Sequence, residues 1–247
     1  MGMPVVSVAA GGIAVIEVPN GMPVTEAANG RGLGVTKVVG KPYGLPVTFV
    51  NETGGPVTPA FATFDGVSSR VMLSNGNLTA TYNGGGTNDS GARSTAVKSA
   101  GKYYYEVTPA LTRNGDCIGV LLSTGTYSNM DNLGTNCAVV YGSGAIWSNN
   151  ANTGKSIAAW AGAPGPAIRV AIDLGARLGW FCRAAGNWNG DALANPATGI
   201  GGVTIAAGNF GPALGFTGIL GDSAAANFGA TAFTGAVPSG FTAGWPA

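Results

Sequence analysis

Two short runs set a flat aromatic ring among groups that hydrogen-bond. Tyr127 stands with Asn129 and Asp131, and Trp188 is flanked by Asn187 and Asn189. A ring can lie against the C–H face of a sugar while amides and carboxylates reach its hydroxyls, so both runs suit carbohydrate recognition. Asn-rich turns are also the ordinary chemistry of β-sandwich loops and serve there without a ligand. Asp89, Asp116, Asp131 and Asp191 fall in loops too, and two of them at the separation of a glycosidase pair would make a glycan hydrolase. Nothing in the sequence sets two at that separation, and the reading is a binding protein, not an enzyme.

Other chemistries are excluded by what the 247 residues lack. Histidine is absent, which removes the usual serine or cysteine triad and the imidazole metal ligands together. The 11 acidic residues are scattered, with no calcium loop of alternating Asp or Asn, so neither a metal nor a cofactor is implied. Cys117, Cys137 and Cys182 are widely spaced and odd in number, which argues against an internal disulfide framework. Buried free thiols are one reading and a bond between subunits is the other. With 12 basic residues and a net charge of +1, there is no field to attract nucleic acid. Residues 192–221 and 223–247 are uncharged or nearly so, yet Pro196, Pro212 and many glycines rule out membrane-spanning helices. The start, Met1-Gly2-Met3-Pro4, has no basic region of a signal peptide.

The elements that must hold these loops are short strands. The chain has 43 Gly and 14 Pro with only 9% charged residues, the composition of a β-rich protein with uncharged polar surfaces. The densest strand signal is Gly101-Lys102-Tyr103-Tyr104-Tyr105-Glu106-Val107. Alternation puts Tyr103, Tyr105 and Val107 on one face and Lys102, Tyr104 and Glu106 on the other. Asn75-Gly76 predicts a hairpin between Val71–Leu73 and Leu78–Tyr82, and Gly142-Ser143-Gly144 one between Cys137–Tyr141 and Ala145–Trp147. Ile168, Val170, Ile172 and Leu174 alternate cleanly, and Gly175-Ala176-Arg177 turns them into Leu178–Arg183. Further strands are predicted at 117–122, 202–205, 212–216 and 224–228, with Trp147, Trp160 and Trp180 in the core. Loops are predicted at 83–91, 123–136, 148–155 and 184–199. About ten short strands and no capped helical stretch predict an all-β antiparallel sandwich.

Ahead of it lies a different pattern. Glycine, an apolar residue, a small residue or proline, and valine recur at Gly2, Gly12, Gly21, Gly32 and Gly44, spaced 10, 9, 11 and 12 residues apart. Each copy is too thin to bury its own apolar face, and the prolines block regular ladders. The copies must therefore intertwine in an oligomer, for which a trimer is expected, or lie along another protein. Val5, Ile13, Val15, Met22, Val24, Leu33, Val35, Leu45 and Val47 are the residues predicted to attach or oligomerise. The predicted organisation is a repeat segment at 1–50, a linker at 51–60 and a sandwich at 61–247.

The order of segments after the linker resembles a SPRY domain, the concanavalin-like jelly-roll sandwich, and more narrowly its versions in bacteriophage virion proteins. Gly101–Val107 is similar to a strand of the form GKWYWEV, Cys117-Ile118-Gly119-Val120 to the IGV strand that follows, and Ile168–Phe181 to a VAxDL strand turning into WF. Asn195-Pro196-Ala197-Thr198-Gly199 is similar to a loop of the phage versions, and 222–229 and 238–241 to the closing strand and tail. Gly175 stands where the family has an acidic or polar turn residue, and Gly179 interrupts the leucine-tryptophan pair. The resemblance implies a non-enzymatic module that binds through loops at one end of the sandwich. It implies a phage appendage on the virion surface, a fiber or spike subunit. Residues 1–50 would be anchored to capsid, portal or tail proteins, and the sandwich would face a host-surface glycan or protein. The alternative is a capsid or tail decoration protein without a receptor.

Overall fold

The computed structural model describes residues 6–9, 13–17, 34–39 and 61–247, the last range apart from 69, 86–89, 95, 128–135 and 163. The chain divides into two compact units, Met1–Thr58 and Pro59–Ala247. In the first, β1 (Val6–Ala9) and β2 (Ile13–Glu17) form an antiparallel hairpin with Ala9 opposite Ile13, and β3 (Gly34–Val39) runs parallel to β2. Ile13 and Val15 fall on β2 and Val35 on β3. Val5, Met22, Val24, Leu33, Leu45, Val47 and the predicted linker at 51–60 lie outside the described residues.

The second unit is a sandwich of two antiparallel sheets. Its strands are β4 (Phe64–Val67), β5 (Val71–Ser74), β6 (Thr79–Tyr82), β7 (Gly91–Ser94), β8 (Lys102–Leu111), β9 (Cys117–Leu122), β10 (Cys137–Tyr141), β11 (Ala145–Ser148), β12 (Ala151–Ser156), β13 (Ile168–Asp173), β14 (Leu178–Arg183), β15 (Val203–Thr204), β16 (Phe210–Gly215), β17 (Ser223–Asn227) and β18 (Thr242–Ala243). One sheet runs β12-β11-β10-β9-β16-β7-β4 and the other β15-β14-β13-β8-β17-β6-β5. Two 3₁₀ turns, Trp188–Gly190 and Pro196–Thr198, interrupt the long connection after β14.

β8 is the spine of its sheet. Residues 102–107 pair with β13 on one side, while the other side is shared, β17 pairing with 106–111 and β18 running parallel beside Tyr103 and Tyr104. The tyrosine-rich run supplies the β-branched and aromatic bulk that such a doubly flanked strand needs. Tyr105 and Val107 point between the sheets, with Ile168, Val170, Ile172 and Phe181 of their own sheet and Ile118, Val120, Val140, Phe210 and Leu214 of the other. The opposite face of β8 is buried as well. Tyr104 packs with Ala171, Trp180, Ala194 and Phe241 on the outside of the sheet, under the 188–202 and C-terminal segments. The outer face of the other sheet carries a third cluster of Cys117, Leu121, Cys137, Val139, Tyr141 and Ala213.

The structure departs from the sequence reading at several elements. β12 is a strand where a loop was predicted, because its exposed polar residues carry no apolar alternation and it pairs on one edge only. β4, β7 and β18 escaped for a different reason, being two to four residues long and fixed by neighbours distant in sequence. The Asn75-Gly76 hairpin forms, with Ser74 opposite Thr79, but its turn holds four residues, and Asn75, Gly76 and Asn77 all have positive φ. Trp160 is in the inter-sheet core as predicted. Trp180 is buried as predicted too, in the core cluster on the outer face of its sheet, whereas Trp147 is only half-buried against the third cluster. The β13–β14 hairpin keeps full register despite Gly175 and Gly179. Asp173 Oδ1 accepts from Ala176 N at 2.8 Å, so the acid two residues earlier makes the turn bond that position 175 lacks.

Candidate functional site

The two predicted aromatic runs lie on opposite outer faces of the sandwich. Tyr127 is half-buried against the Cys117–Tyr141 cluster, on the outside of the seven-stranded sheet. The loop that carries it leaves from the Leu122 end of β9, whereas Gly91 sits opposite Gly215, which pairs with Cys117 at the other end of β9. Those ends are about 17 Å apart at ~3.4 Å per residue. Yet a Cβ on Gly91 would stand 2.8 Å from Tyr127 Cδ1, so the loop folds back along the sheet and only glycine admits the ring there. Asn129 and Asp131 lie outside the described residues.

Trp188 caps the outside of the other sheet. Its ring lies edge-on to Tyr104 at 6.4 Å between centroids and beneath the Arg169 guanidinium at 5.0 Å. Asn189, 2% exposed, is turned inward. Its Oδ1 accepts from Phe181 N at 2.8 Å, and its Nδ2 donates to Gly179 O at 3.1 Å and Gly201 O at 2.9 Å. This amide clamps the 3₁₀ turn to β14, so a role for Asn189 in contacting a ligand gives way to a structural one. Asn187 is exposed and lines an open cleft of about 440 Å³ with Ser156, Ile157, Ala158, Arg183, Gly186 and Gly190. Of the four predicted ligand-contact residues that the structure describes, Tyr127, Asn187, Trp188 and Asn189, Asn187 lines the cleft.

The carboxylates are tied into the scaffold. Asp116, 1% exposed, accepts from Thr217 N and Thr217 Oγ1 through Oδ1 and from Arg113 N through Oδ2. Burial raises its pKa against those bonds. Its acidic neighbour among the described residues is Asp222, which is fully buried. Arg113 Nε stands 3.3 Å from Asp222 Oδ1, and among the described residues neither carboxylate oxygen accepts a well-aligned hydrogen bond. Burial first, and then the charge of Asp116, lift the Asp222 carboxyl to a pKa of about 6. Asp191 is paired with Lys155 at 3.4 Å and accepts from Leu193 N at 2.9 Å, and these contacts, the backbone bond first, lower its pKa. Asp89 and Asp131 lie outside the described residues. Among the described residues no cluster of three or more His, Cys, Asp or Glu is arranged to hold a metal.

Three side chains that composition and spacing did not single out matter most to local electrostatics. Glu106, 3% exposed, accepts from Tyr104 Oη at 2.6 Å, Thr234 N at 2.9 Å, Thr234 Oγ1 at 2.8 Å and Gly235 N at 2.8 Å. Burial pushes its carboxyl up, and the four bonds outweigh that and hold it below the usual range. Arg169 donates to Cys182 Sγ at 2.7 Å and to Gly186 O at 3.4 Å, and Arg183 donates to Ala159 O. The Nε of both arginines is buried without a hydrogen-bond partner. The alternation around Glu106 gave its face but not its partners, which arrive from 128 residues downstream. All three cysteines are buried and free, and burial pushes the Cys137 thiol up to about 12. Cys117 and Cys137 lie in the outer-face cluster and Cys182 lies against Arg169 and Gly186, so a bond between subunits through these thiols would require the segments that cover them to lift.

No helix among the described residues is long and apolar enough to cross a membrane. No protein-family model matches the chain, and no curated protein does. Solved structures do resemble it. The SPRY domain of human HERC1 is similar at 14% identity and a TM-score of 0.48, over 64% of this chain and 92% of that one. The TRIM65 PSpry domain is similar at 13% identity and a TM-score of 0.48, over 68% and 89%. Stonustoxin is similar at 16% identity and a TM-score of 0.45, over 68% of this chain and 27% of that one.

Proposed function

We propose that the chain is a non-enzymatic binding protein, a phage virion appendage anchored by its repeat segment and presenting the sandwich for recognition of a host surface. The virion assignment rests on the sequence resemblance of the segments at 101–107, 117–120, 168–181 and 195–199. The observation that carries the binding reading is the disposition of polar groups. Glu106, Asp116 and Asp173 are spent on internal bonds, while Asn187, Ser156 and Arg183 border an open cleft. A scaffold that holds three of its four described buried acids in hydrogen bonds, Asp222 being the exception, and leaves amide, hydroxyl and guanidinium groups at its rim suits binding better than acid–base chemistry.

The experiment is direct. Purified full-length protein is titrated against host cells and against their extracted surface polysaccharide, with virions as the second surface. Saturable binding to cells supports recognition. Association with virions and no binding to cells would put a decoration protein in its place, a reading favoured by the separation of Tyr127 and Trp188 on opposite faces. Release of reducing sugar, lost on changing Asp191, would overturn the non-enzymatic assignment.

A further inference from the structure

We infer that the cleft between the end of β12 and the turn after β14 is a binding site for a carboxylate-bearing sugar, a uronic acid unit of an acidic polysaccharide. The inference rests on the recognition reading above and names the class of ligand for it. Its walls are Ser156, Ile157 and Ala158 on one side and Arg183, Gly186, Asn187 and Gly190 on the other, around a volume of about 440 Å³. That is room for roughly one or two hexose rings, within the ordinary range of small-ligand sites.

Charge selects the ligand. Arg183 lines the cleft, Arg169 reaches the Gly186 carbonyl in its wall, and Lys155 precedes Ser156. Against these three cations stand Asp191, already paired with Lys155, and the buried Glu106, which lies opposite Arg169 across β8 and β13, so Arg183 is the cation left without an acid beside it. Among the described residues no carboxylate pairs with Arg169 or Arg183. A planar guanidinium without an acid of its own matches a carboxylate by charge and by shape. The remaining lining suits a sugar ring. Ser156 and Asn187 offer a hydroxyl and an amide for ring hydroxyls, and the exposed Ala158 offers an apolar contact for ring C–H groups, while Ile157 packs into the main core behind it.

An acidic peptide is the less suitable occupant, because the usual way to hold an extended peptide is to add it to a free strand edge. At this end of β12 the edge is covered. Gly190, at φ +70°, lies so close that a Cβ there would come within 1.9 Å of Ser156 O, and the Lys155–Asp191 pair closes the same edge.

The test uses the full-length protein and calorimetric titration with trimers of galacturonate, glucuronate and mannuronate, each beside its neutral hexose counterpart. At least one uronate trimer is expected to bind, with the neutral trimer about tenfold weaker or more and affinity falling as salt is added. Asn187→Asp places a like charge in the cleft, and Arg183→Gln removes the guanidinium. Each is expected to lower uronate affinity by about tenfold or more. Asn187 is exposed and makes no side-chain capping bond, so its variant should keep the wild-type thermal midpoint and remain informative if Arg183→Gln misfolds. Failure of all three uronates, unchanged binding by Asn187→Asp, or displacement of the uronate only by a tri-glutamate peptide would overturn the inference. Cell binding that survives both substitutions would sink the cleft while leaving host recognition standing. Uronate binding without cell binding would do the reverse.

Discussion

Glu106 and Asp222 are both buried acids, and they respond to pH in opposite senses. Four hydrogen bonds hold the Glu106 carboxyl below its ordinary range, so its ionised form is favoured by folding. Its contribution is present above the unfolded value and disappears as pH falls through the folded one. Glu106→Gln should cost about 2–3 kcal/mol at neutral pH, the scale of hydrogen bonds to a charged group, with the difference shrinking toward about pH 3. Urea titrations at the two pH values check this. Asp222 is the reverse case, because its pKa rises from 3.8 to about 6. Between those values the folded state binds the extra proton, so stability falls as pH rises through that window. Asp222→Asn should raise the melting temperature by a few degrees above pH 6, and the gain should fade as pH approaches 4. Arg113 then loses its partner, but its side chain is 42% exposed and stays hydrated.

At the scale of elements, the structure depends on joints between segments far apart in sequence. Trp245 is fully buried in the main core, its ring 4.7 Å from Tyr103 and 6.1 Å from Tyr105, and its Nε1 donates to Ala96 O. Trp245→Ala should cost about 3–5 kcal/mol, measured by denaturant unfolding. Gly190→Ala should be worse tolerated than an ordinary surface change. It forces a left-handed backbone onto alanine and drives a methyl into Ser156 O, so it should both destabilise the sandwich and close the adjoining cleft, visible as a lowered melting point. These joints also mark where sequence reading stops. Ile168, Val170, Ile172 and Leu174 could be read because alternation across a pleat is a local property. So could the tyrosine strand and the hairpins whose turns carry Asn and Gly. Trp245, β12 and the outer-face burial of Trp180 could not, because a two-residue strand or an uncharged loop acquires its role only from what packs against it. The same reason separates Asn187 from Asn189. Adjacent positions around one tryptophan read alike, and only the turn geometry sends one amide to the cleft and the other into the scaffold.

At the scale of the whole molecule, the chain has two units, and the role proposed for each can be tested separately. The repeat segment is proposed to oligomerise or anchor, and the sandwich carries its own inter-sheet core. Removal of residues 1–58 should therefore leave the melting temperature of the sandwich unchanged within a degree or two while converting an oligomer to a monomer in light scattering. A full-length chain that is already monomeric would leave attachment to a virion partner as the role of the repeats.

Phe61 and Pro246 form a bridge, and Ala62 N donates to Trp245 O at 2.8 Å, so the sandwich is sealed by its first and last residues together. During synthesis that seal cannot form until position 246 has left the ribosome. Throughout the preceding interval, at about 5–20 residues added per second, the segment before residue 59 is already outside. If that segment oligomerises as proposed, neighbouring nascent chains on one message would meet through it before any sandwich has closed, and assembly would precede folding.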